Sequence, residues 1–416
     1  MITRMTGQGL SLWWPDLRRH VYLVGPSGSG KSSALYNLCR QIAEGAYGEQ
    51  GFALIDPHGD LARDDVLACI PRHKIQQTIW FDPTDATRPF GINIVPYAPG
   101  NSLVAEHTLE AFATIWKLDQ ETERLLKHIF IVHTYLPDST LFDCLKMLNN
   151  TRFRERITKR CGNPLSRLFW ETEFPLWEMT LRFRADRVGP VASMFETLLQ
   201  HQALQRIFGQ VITTVDFRRV MDAGQIMICS LARGALGDQA STLLGAILLA
   251  KFRSASYSRI DLPQQKRRPF TLLIDEFHEL TAGEAGGRAL QGLFSGGRKF
   301  GLGLVVAHQG EYQDPLTVKA ALANCYTKIA FAVNTEDLER EFRIQEFKEA
   351  YFESQRVWVK EGMDHVFWGT PEPKMLPDLE ERLRYCARRD QIIAWSRERF
   401  GRDGRKVGRR IDRGFK

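Results

Sequence analysis

The sequence lacks the features that mark secreted, zinc-ribbon and membrane-spanning proteins. Its seven cysteines are widely spaced and include no CxxC pair, which argues against a disulfide framework and against a zinc ribbon. The longest apolar stretch, residues 243–250, is far shorter than the roughly 18 residues that cross a bilayer. The first residues, MITRMTGQGL, lack the charged and apolar segments of a secretory signal. We therefore expect a cytoplasmic protein without a transmembrane segment.

Acidic residues are too few to balance the basic ones near the C-terminus. Residues 382–416 contain 13 Lys or Arg against 4 Asp or Glu, so this segment carries +9 while the whole chain carries +7. Such a segment can bind a phosphate backbone by neutralising its charge, or it can be a solvated, partly disordered tail. Both interpretations stay open. Hydrophobic residues make up 44% of the chain and charged residues 25%, which excludes gross disorder.

Short apolar runs alternate with helical patterns over much of the chain. The first run, at residues 21–24, leads through a glycine-rich loop into a stretch with one buried helical face, formed by Leu35, Leu38, Cys39 and Ile42. Because strands and helices alternate, we expect an α/β fold with a mainly parallel sheet. Further strands are predicted at residues 52–55, 78–81, 225–231, 269–274, 303–308 and 327–333.

The pattern changes after the Pro- and Gly-containing stretch at residues 95–102. From residue 103 to 219 the apolar spacing is mainly helical, with long runs at 119–135 and 191–207, which predicts an all-helical insertion. A long apolar helix is expected at residues 240–252. The expected domains are residues 1–100 and 221–372 for the two parts of the α/β core, 101–220 for the helical insertion and 373–416 for a basic C-terminal tail.

A phosphate-binding motif follows the first predicted strand. Residues 25–32 read GPSGSGKS, which matches GxxxxGK[ST] in the strand, loop and helix context that this motif requires. Glycines let successive amides turn toward an anion, Lys31 can pair with the β- and γ-phosphates, and the Ser32 hydroxyl can bind Mg²⁺. The motif therefore predicts a nucleoside triphosphate site. Its binding residues are Gly25, Pro26, Ser27, Gly28, Ser29, Gly30, Lys31, Ser32 and Ser33.

Two adjacent acids end the strand predicted at residues 269–274. Asp275 is expected to hold Mg²⁺, and Glu276 to orient and polarise the water that attacks the γ-phosphate, so the pair predicts ATP hydrolysis. Gln309 also follows a strand and is expected to sense the γ-phosphate, the alternative being a polar residue that simply ends the strand. Asp56 either acts near the metal or water or simply forms part of a turn. In a parallel sheet, residues that follow strands meet at the carboxyl edge. The residues expected there are Asp56, Asp82, Ser230, Asp275 and Gln309.

Several other nucleotide-binding families are disfavoured by their motifs. The GxGxxG spacing of dinucleotide-binding folds and the Asn-Lys-x-Asp motif of GTPases are both missing. The stretch FSGGRKFG at residues 294–301 shares the SGG core of the ABC-transporter signature, but it follows the Asp-Glu strand, whereas that signature precedes it. Arg298 in this stretch is either a surface residue or an arginine finger that crosses a subunit boundary. Arg233, after another strand, contacts either phosphate or solvent.

Five segments occur in a specific order along the chain: GPSGSGKSS, FALIDPHGDLARDDVLACIP, IWFDPTDATRPFGINIV, PFTLLIDEFHEL and SGGRKFGLGLVVAHQ. Together they resemble the HerA/FtsK superfamily of ring-forming, DNA-pumping ATPases. Within it, the chain looks most like the coupling-protein branch of conjugative type IV secretion, including soluble TraG/TraD-like members. The resemblance covers roughly residues 18–335, and the ordered set is far more specific than any single motif.

The resemblance implies a RecA-like P-loop core of the ASCE type, usually hexameric, with an all-helical insertion between early and late strands. Two departures from the family matter. Membrane-anchored members carry N-terminal transmembrane helices that this chain lacks, and Gly296 and Gly297 stand where a helix former usually precedes the arginine, which loosens a helix end. The roles implied are the phosphate-loop pair for Lys31 and Ser32, the metal-site acid for Asp275, the catalytic glutamate for Glu276, the glutamine sensor for Gln309 and the finger acting in trans for Arg298.

Together the motifs and the resemblance predict an ATP-driven DNA translocase that requires Mg²⁺ and grips DNA phosphates without reading the sequence. Two alternatives stay open. One is a secretion or assembly ATPase that moves polypeptide, and the other is a non-catalytic, nucleotide-gated DNA-binding scaffold. The expected partners are DNA, further copies of the chain in a homo-hexamer, and a relaxase, nuclease or secretion-channel protein.

Overall fold

A computed structural model of the chain describes residues 17–280, 284–309, 315–331, 357–362, 365–369 and 379–415. The described residues fall into two compact units. The sheet unit comprises those of Met1–Phe81, Phe217–Arg233 and Lys251–Ser396, and the helical unit comprises those of Asp82–Asp216, Gly234–Ala250 and Arg397–Lys416. None of the helices in the described ranges combines the length and the apolarity that a bilayer crossing requires.

The described part of the sheet unit contains a nine-stranded sheet with the strand order β3-β4-β2-β5-β6-β1-β7-β8-β9. The strands from β3 to β7 in this order are parallel, and β8 and β9 extend the sheet in antiparallel pairing. All the predicted strands are present, whereas β8 and β9 were not expected. The strands are β1 Val21–Val24, β2 Gly51–Asp56, β3 Thr78–Phe81, β4 Ile226–Ser230, β5 Phe270–Ile274, β6 Leu302–His308, β7 Thr327–Phe331, β8 Val357–Glu361 and β9 His365–Gly369.

The parallel strands are apolar because both faces of the sheet are covered. Every residue of β2, β5 and β6 is buried, as in sheets packed between two layers of helices. Polar residues appear where the chain leaves this core, directly after the last strand residue. Since β2, β5, β6 and β1 are parallel neighbours, their polar successors share the carboxyl edge of the sheet.

Helices connect these strands and form the insertion. The helices α3 to α11 lie between β3 and β4, and the described residues from 82 to 216 contain no strand, which confirms the all-helical insertion. The helices are α1 Lys31–Ala43, α2 Leu67–Cys69, α3 Ser102–Ile115, α4 Gln120–Thr134, α5 Leu141–Asn149, α6 Thr151–Thr158, α7 Pro164–Leu168, α8 Phe174–Met179, α9 Leu181–Phe183, α10 Gly189–Gln200, α11 Gln202–Phe208, α12 Phe217–Asp222, α13 Arg233–Leu236, α14 Asp238–Ser258, α15 Glu284–Gly297, α16 Pro315–Asn324, α17 Leu379–Phe400 and α18 Gly404–Phe415.

The helical unit follows the predicted runs with one correction. The run at residues 119–135 forms α4, whose start is capped by the Asp119 side chain accepting a hydrogen bond from Thr122 N at 2.8 Å. The run at residues 191–207 is not one helix. His201 has an extended backbone (φ −82°, ψ 114°), which ends α10 and precedes α11.

The basic C-terminal segment is folded over its described residues. Residues 379–400 and 404–415 form α17 and α18, so a disordered tail is the wrong interpretation for them. In the sheet unit, the buried Ser396 of α17 accepts a hydrogen bond from Trp80 N (2.9 Å) and donates one to Trp80 O (3.1 Å). This contact satisfies backbone groups of β3, the outermost strand on that side.

Candidate nucleotide-binding site

The glycine-rich loop joins β1 to α1 at the carboxyl edge of the sheet. Gly28 (φ 77°) and Gly30 (φ 106°) have left-handed backbones, which residues with a Cβ rarely adopt. No described side chain caps α1, and its first turn contains no acid. Its first amides can therefore bind an anion, and the helix dipole adds partial positive charge at the same end. The loop has the backbone chemistry that a phosphate group needs.

Lys31 is buried beneath this loop, with 4% of its surface exposed. Its Nζ donates hydrogen bonds to Gly25 O (2.6 Å) and Pro26 O (3.0 Å), and it lies 4.0 Å from Glu276 Oε1. Burial lowers the pKa of Lys31, whereas the charges of Glu276 and Asp275 act to raise it. The ammonium group therefore lies between the phosphate loop and the two acids.

Asp275 and Glu276 directly follow β5, which lies between β2 and β6. The Asp275 amide still donates to Ile55 O of β2 at 3.0 Å, so the pairing continues one residue past the strand. Glu276 then turns into a left-handed conformation (φ 40°, ψ 52°), and its amide donates to Asp275 Oδ1 at 3.0 Å. A non-glycine residue in this conformation is uncommon, and such strain concentrates at functional sites.

Burial makes the negative charge of this acid pair costly. It raises the pKa of Asp275 to about 7, with further contributions from Asp56 and Glu276 and an opposing one from Lys31. Burial also raises the pKa of Glu276, while the hydrogen bond from Gln309 and the charge of Lys31 oppose that rise. A divalent cation beside Asp275 would stabilise the ionised acids.

The donor set fits Mg²⁺ bound together with phosphate rather than a metal held by protein alone. Among the described residues, no group of three or more His, Cys, Asp or Glu side chains is arranged to hold a metal ion. Nucleotide-site Mg²⁺ usually takes one or two protein oxygens and completes its octahedron with water and phosphate oxygens. Ser32 at the start of α1 and the buried Asp275 would supply the protein oxygens.

Gln309 connects the end of β6 to the acid pair. Its Nε2 donates a hydrogen bond to Glu276 Oε1 at 2.8 Å. The other carboxylate oxygen of Glu276, Oε2, is buried and lies 3.6 Å from His278 Nδ1, but it accepts no hydrogen bond from the described residues. A carboxylate that is held in place through one oxygen, and whose other oxygen can still accept a hydrogen bond, can accept a proton from water. Lys31, Glu276 and Gln309 thus meet at one point, although they come from distant segments.

Asp56 has a role within the fold. Its Oδ1 accepts a hydrogen bond from His58 N (3.0 Å) and its Oδ2 accepts one from Ala62 N (2.9 Å). Both oxygens therefore stabilise the turn after β2, which favours the turn interpretation over a metal ligand. The charge of Asp56 still reaches the site, because it contributes to the raised pKa of Asp275.

Two other residues expected at this edge have different surroundings. Ser230 ends β4 and is buried beside Asp56, its register partner in β2. Asp82 belongs to the helical unit, where its Oδ1 accepts hydrogen bonds from the amide (2.9 Å) and the hydroxyl (2.6 Å) of Thr84. These hydrogen bonds of Asp82 are local ones within its own turn.

Glu279 is a neighbour of the site that motif reasoning missed. It ends the short helical turn that follows Glu276, and it forms ion pairs with Arg233 and with His58, whose Nε2 lies 3.6 Å away. Arg233, which the sequence predicts to contact phosphate or solvent, forms an ion pair with this carboxylate. Glu279 thereby ties the turn that carries Glu276 to the loops after β4 and β2. The third acid in DEFHE was visible in the sequence, but its partners were not.

Arg298 lies at the opposite edge of the sheet from these residues. It is exposed in the turn between α15 and β6, whereas Gln309 follows the carboxyl end of β6. At a rise of about 3.3 Å per residue, the length of β6 separates the two edges by roughly 20 Å. Arg298 is therefore remote from the acid cluster of its own chain.

The helix before Arg298 includes the two glycines that are expected from the sequence to loosen its end. α15 continues through Gly297, which has helical backbone angles (φ −55°, ψ −41°). A Cβ at Gly296 would lie 2.2 Å from the hydroxyl oxygen of Tyr257, which donates a hydrogen bond to Gly292 O at 2.9 Å. Close packing, rather than a need for flexibility, accounts for glycine at this position.

Comparisons with solved structures agree with this architecture. The bacterial conjugative coupling protein TrwBdeltaN70 superposes in its unbound monoclinic form with a TM-score of 0.61 and 16% identity, over 91% of this chain and 92% of that chain. Its trigonal form in complex with sulphate superposes with a TM-score of 0.61 and 15% identity, over 92% of this chain and 93% of that chain. VirB4 of Thermoanaerobacter pseudethanolicus superposes with a TM-score of 0.53 and 14% identity, over 86% of this chain and 90% of that chain.

No protein-family model and no curated protein matches the chain. At these identities the structural similarity establishes the fold, and the motif-based resemblance is confirmed at that level. The chain has the RecA-like P-loop NTPase fold of the conjugative coupling protein and of VirB4, with a mainly parallel sheet and an inserted all-helical domain.

Proposed function

We propose that this chain is the subunit of an ATP-hydrolysing ring motor that translocates DNA in conjugative or mobile-element DNA transfer. The observation that carries the proposal is the approach of Lys31 Nζ (4.0 Å) and Gln309 Nε2 (2.8 Å) to the same oxygen of Glu276. A cation from the phosphate loop, a carboxylate and an amide then surround the position shared by a terminal phosphate and its attacking water. This arrangement favours hydrolysis over binding alone.

Each of these side chains has a distinct task. The loop amides and Lys31 bind the β- and γ-phosphates of ATP and offset their charge. Glu276 orients the water and accepts its proton as the water oxygen bonds to the γ-phosphorus and the bond to the bridging oxygen breaks. Gln309 holds Glu276 in that orientation. Ser32 and Asp275 would hold Mg²⁺, which would withdraw charge from the phosphate oxygens.

A ring of identical subunits would complete each site. Arg298 is exposed at the edge opposite its own acid cluster, so the nucleotide within its reach is that of a neighbouring subunit. A guanidinium delivered across a boundary stabilises charge on the transferring phosphoryl group. Repeating this heterologous contact closes a ring, and the family resemblance implies a homo-hexamer.

The C-terminal helix α18 offers a surface for the DNA backbone. Arg405 and Arg409, like Lys406 and Arg410, are exposed like charges four residues apart, while Val407 is buried on the other side of the helix. Such pairs destabilise an isolated helix, and a row of phosphates would relieve their repulsion. Contacts of this kind grip DNA without reading its sequence.

The likeness to a conjugative coupling protein supports a role in conjugation. In that setting the motor would act together with a relaxase, a nuclease or a secretion-channel protein, which presents or receives the DNA. The likeness to VirB4 favours a second candidate, a type IV secretion or assembly ATPase that moves polypeptide.

ATP turnover with Mg²⁺, measured alone and with single- or double-stranded DNA under conditions where mass measurements detect rings, tests the proposal. We expect DNA to stimulate turnover. Replacing Arg405, Arg409 and Arg410 with Gln should reduce salt-sensitive DNA binding, whereas replacing the exposed Arg152, Arg160 and Arg182 should not. Stimulation by polypeptide but not by DNA would favour the secretion ATPase. ATP binding without turnover would favour the nucleotide-gated scaffold.

A further inference from the structure

The backbone of the turn that carries Arg298 is fixed at each carbonyl group. We call residues 298–301 the finger turn. Arg259 Nη1 donates a hydrogen bond to Phe300 O (2.8 Å), and Arg267 Nη1 donates one to Lys299 O (2.6 Å). The carbonyl of Arg298 accepts a hydrogen bond from the amide of Gly301 at 3.2 Å, and the carbonyl of Gly301 accepts one from Phe270 N at 2.9 Å. Two guanidinium groups from outside the turn thus hold its middle.

Arg259 is the deeper of the two groups and has no exposed surface. Its Nε donates to Asp222 Oδ1 at the end of α12 (2.8 Å), and its Nη2 donates to Arg268 O just before β5 (2.7 Å). A buried charge is costly, and an ion pair of this kind is weak evidence for stability. Its planar set of donors does, however, define the relative positions of α12, the start of β5 and the finger turn.

Arg267 adds further contacts to those by which Arg259 holds the finger turn. Its Nε donates to the carbonyl oxygen of Arg259 at 3.0 Å, and its guanidinium lies 4.9 Å from the ring centroid of Phe300. The ring of Phe300 also packs against Tyr257, with 5.2 Å between the centroids. The backbone and one side chain of the finger turn are therefore fixed, while Arg298 itself is exposed.

We propose that Arg259 and Arg267 are positioning residues that preorganise Arg298 for the nucleotide of a neighbouring subunit. The inference rests on the proposed function, since it assigns a purpose to the geometry around the finger. A long arginine side chain loses rotamer entropy when it binds a phosphate. If its backbone is already fixed, less conformational entropy is lost when the side chain takes up its position for the reaction. Catalytic groups also need placement within about half an ångström, which a loose turn does not provide.

A purely structural role for the two arginines makes a different prediction. In that case Arg259 and Arg267 only join the amino ends of β5 and β6, and their removal affects stability whether or not Arg298 is present. If they act by positioning Arg298, their removal slows ATP turnover only in a protein that still contains Arg298. A double-mutant cycle on turnover separates the two roles.

The experiment measures kcat, the KM for ATP and thermal unfolding for Arg267→Gln and Arg259→Lys, each alone and combined with Arg298→Ala. Arg267 is only partly buried, so its variant keeps the test valid if Arg259→Lys fails to fold. The matched control is Arg218→Gln. Arg218 binds the same Asp222 (3.2 Å) and also Asp261 (2.6 Å), and its described contacts do not include the finger turn.

We expect Arg267→Gln to lower kcat about tenfold with little change in KM, because a misplaced finger weakens the transition state more than ATP binding. Arg218→Gln should retain the wild-type kcat. In the Arg298→Ala background, Arg267→Gln should have no further effect on kcat.

Three results would overturn the inference in distinguishable ways. If Arg298→Ala is slow but Arg267→Gln and Arg259→Lys both turn over at the wild-type rate, the positioning role fails and the motor proposal stands. An undiminished effect of Arg267→Gln in the Arg298→Ala background assigns the residue a structural role. If the unmodified ring hydrolyses no ATP with DNA present, the proposed function itself fails.

Discussion

Gln309 Nε2 donates a hydrogen bond of 2.8 Å to Glu276 Oε1, although the two residues are 33 positions apart in the sequence. The contact spans the carboxyl ends of β6 and β5, which are parallel neighbours in the sheet. Lys31 Nζ approaches the same oxygen from the phosphate loop at 4.0 Å. One carboxylate is therefore fixed from two sides, as a water-activating base must be.

Gln309→Leu should lower kcat about 10- to 100-fold while leaving ATP binding close to wild type, because an unfixed Glu276 orients water poorly. ATP turnover and fluorescent-nucleotide titration measure the two quantities. Gln76→Leu, at an exposed position of the sheet unit, is the control and should behave as wild type. If Gln309→Leu turned over ATP at the wild-type rate, the proposed role of Gln309 in orienting Glu276 would be wrong.

Gly25→Ala should destabilise the protein and weaken ATP binding. A Cβ at this position would lie 2.3 Å from the carbonyl oxygen of Phe331 in β7, so β1 and β7 would have to separate. We expect a loss of about 2 kcal/mol in the free energy of unfolding, typical of overpacking. Gly234→Ala is the matched control and should change stability little, because an added Cβ there would meet no atom within 4 Å beyond its chain neighbours and its own helix backbone. Equal unfolding midpoints for the two variants would contradict this interpretation.

Arg298→Ala and Glu276→Gln should each turn over ATP slowly alone and regain part of the wild-type activity when mixed. If Arg298 acts across a boundary, a mixed ring contains boundaries where an intact Glu276 faces an intact Arg298. At equal amounts and with random assembly, about a quarter of the boundaries are of this kind. ATP turnover at several mixing ratios is the measurement. Absence of recovery at every ratio would argue that Arg298 does not act in trans.

His128 should make the helical unit less stable in mild acid. Burial, followed by the charge of Arg124, lowers the pKa of His128 from 6.5 to about 4, so the folded state keeps it neutral where the unfolded state already binds a proton. Stability is therefore lost as the pH falls below 6.5, where the unfolded state binds the proton and the folded state does not.

The test compares chemical unfolding of the wild type and of His128→Gln at pH 7.5 and at pH 5.5. Other titrating groups contribute equally to both proteins, so the difference between their pH dependences isolates His128. We expect the variant to be less sensitive to pH than the wild type. Identical pH dependences would mean that His128 titrates normally in the folded protein.

Much of the fold was readable because it depends on local patterns. Buried parallel strands require continuous apolar runs, and the phosphate loop requires its glycines and lysine in one short segment, so both were predicted. By contrast, the split of the 191–207 run at His201 depends on backbone angles at one residue. The strands β8 and β9 were missed because VWVKE and HVFWG are short, although the three-residue connection between them begins with Gly362, which is a hairpin signal.

The sequence predicted which residues form the site, but it did not predict the side-chain contacts between them. Residues that follow parallel strands share an edge, which brings Glu276 and Gln309 together. The partners of Glu279 and the role of Asp56 in stabilising the turn after β2 depend on side-chain directions that no motif encodes. The same holds for the buried Arg259, whose sequence neighbourhood gives no sign that it anchors a turn some 40 residues away.

The central claim is that Lys31 and Glu276 act on the same terminal phosphate. The most direct test measures ATP affinity and ATP turnover with Mg²⁺ in the wild type, in Glu276→Gln and in Lys31→Ala, with the exposed Glu44→Gln as control. We predict that Glu276→Gln binds ATP as the wild type does but turns over at least about 100-fold more slowly, and that Lys31→Ala binds ATP poorly. Turnover of Glu276→Gln at the wild-type rate would contradict the account.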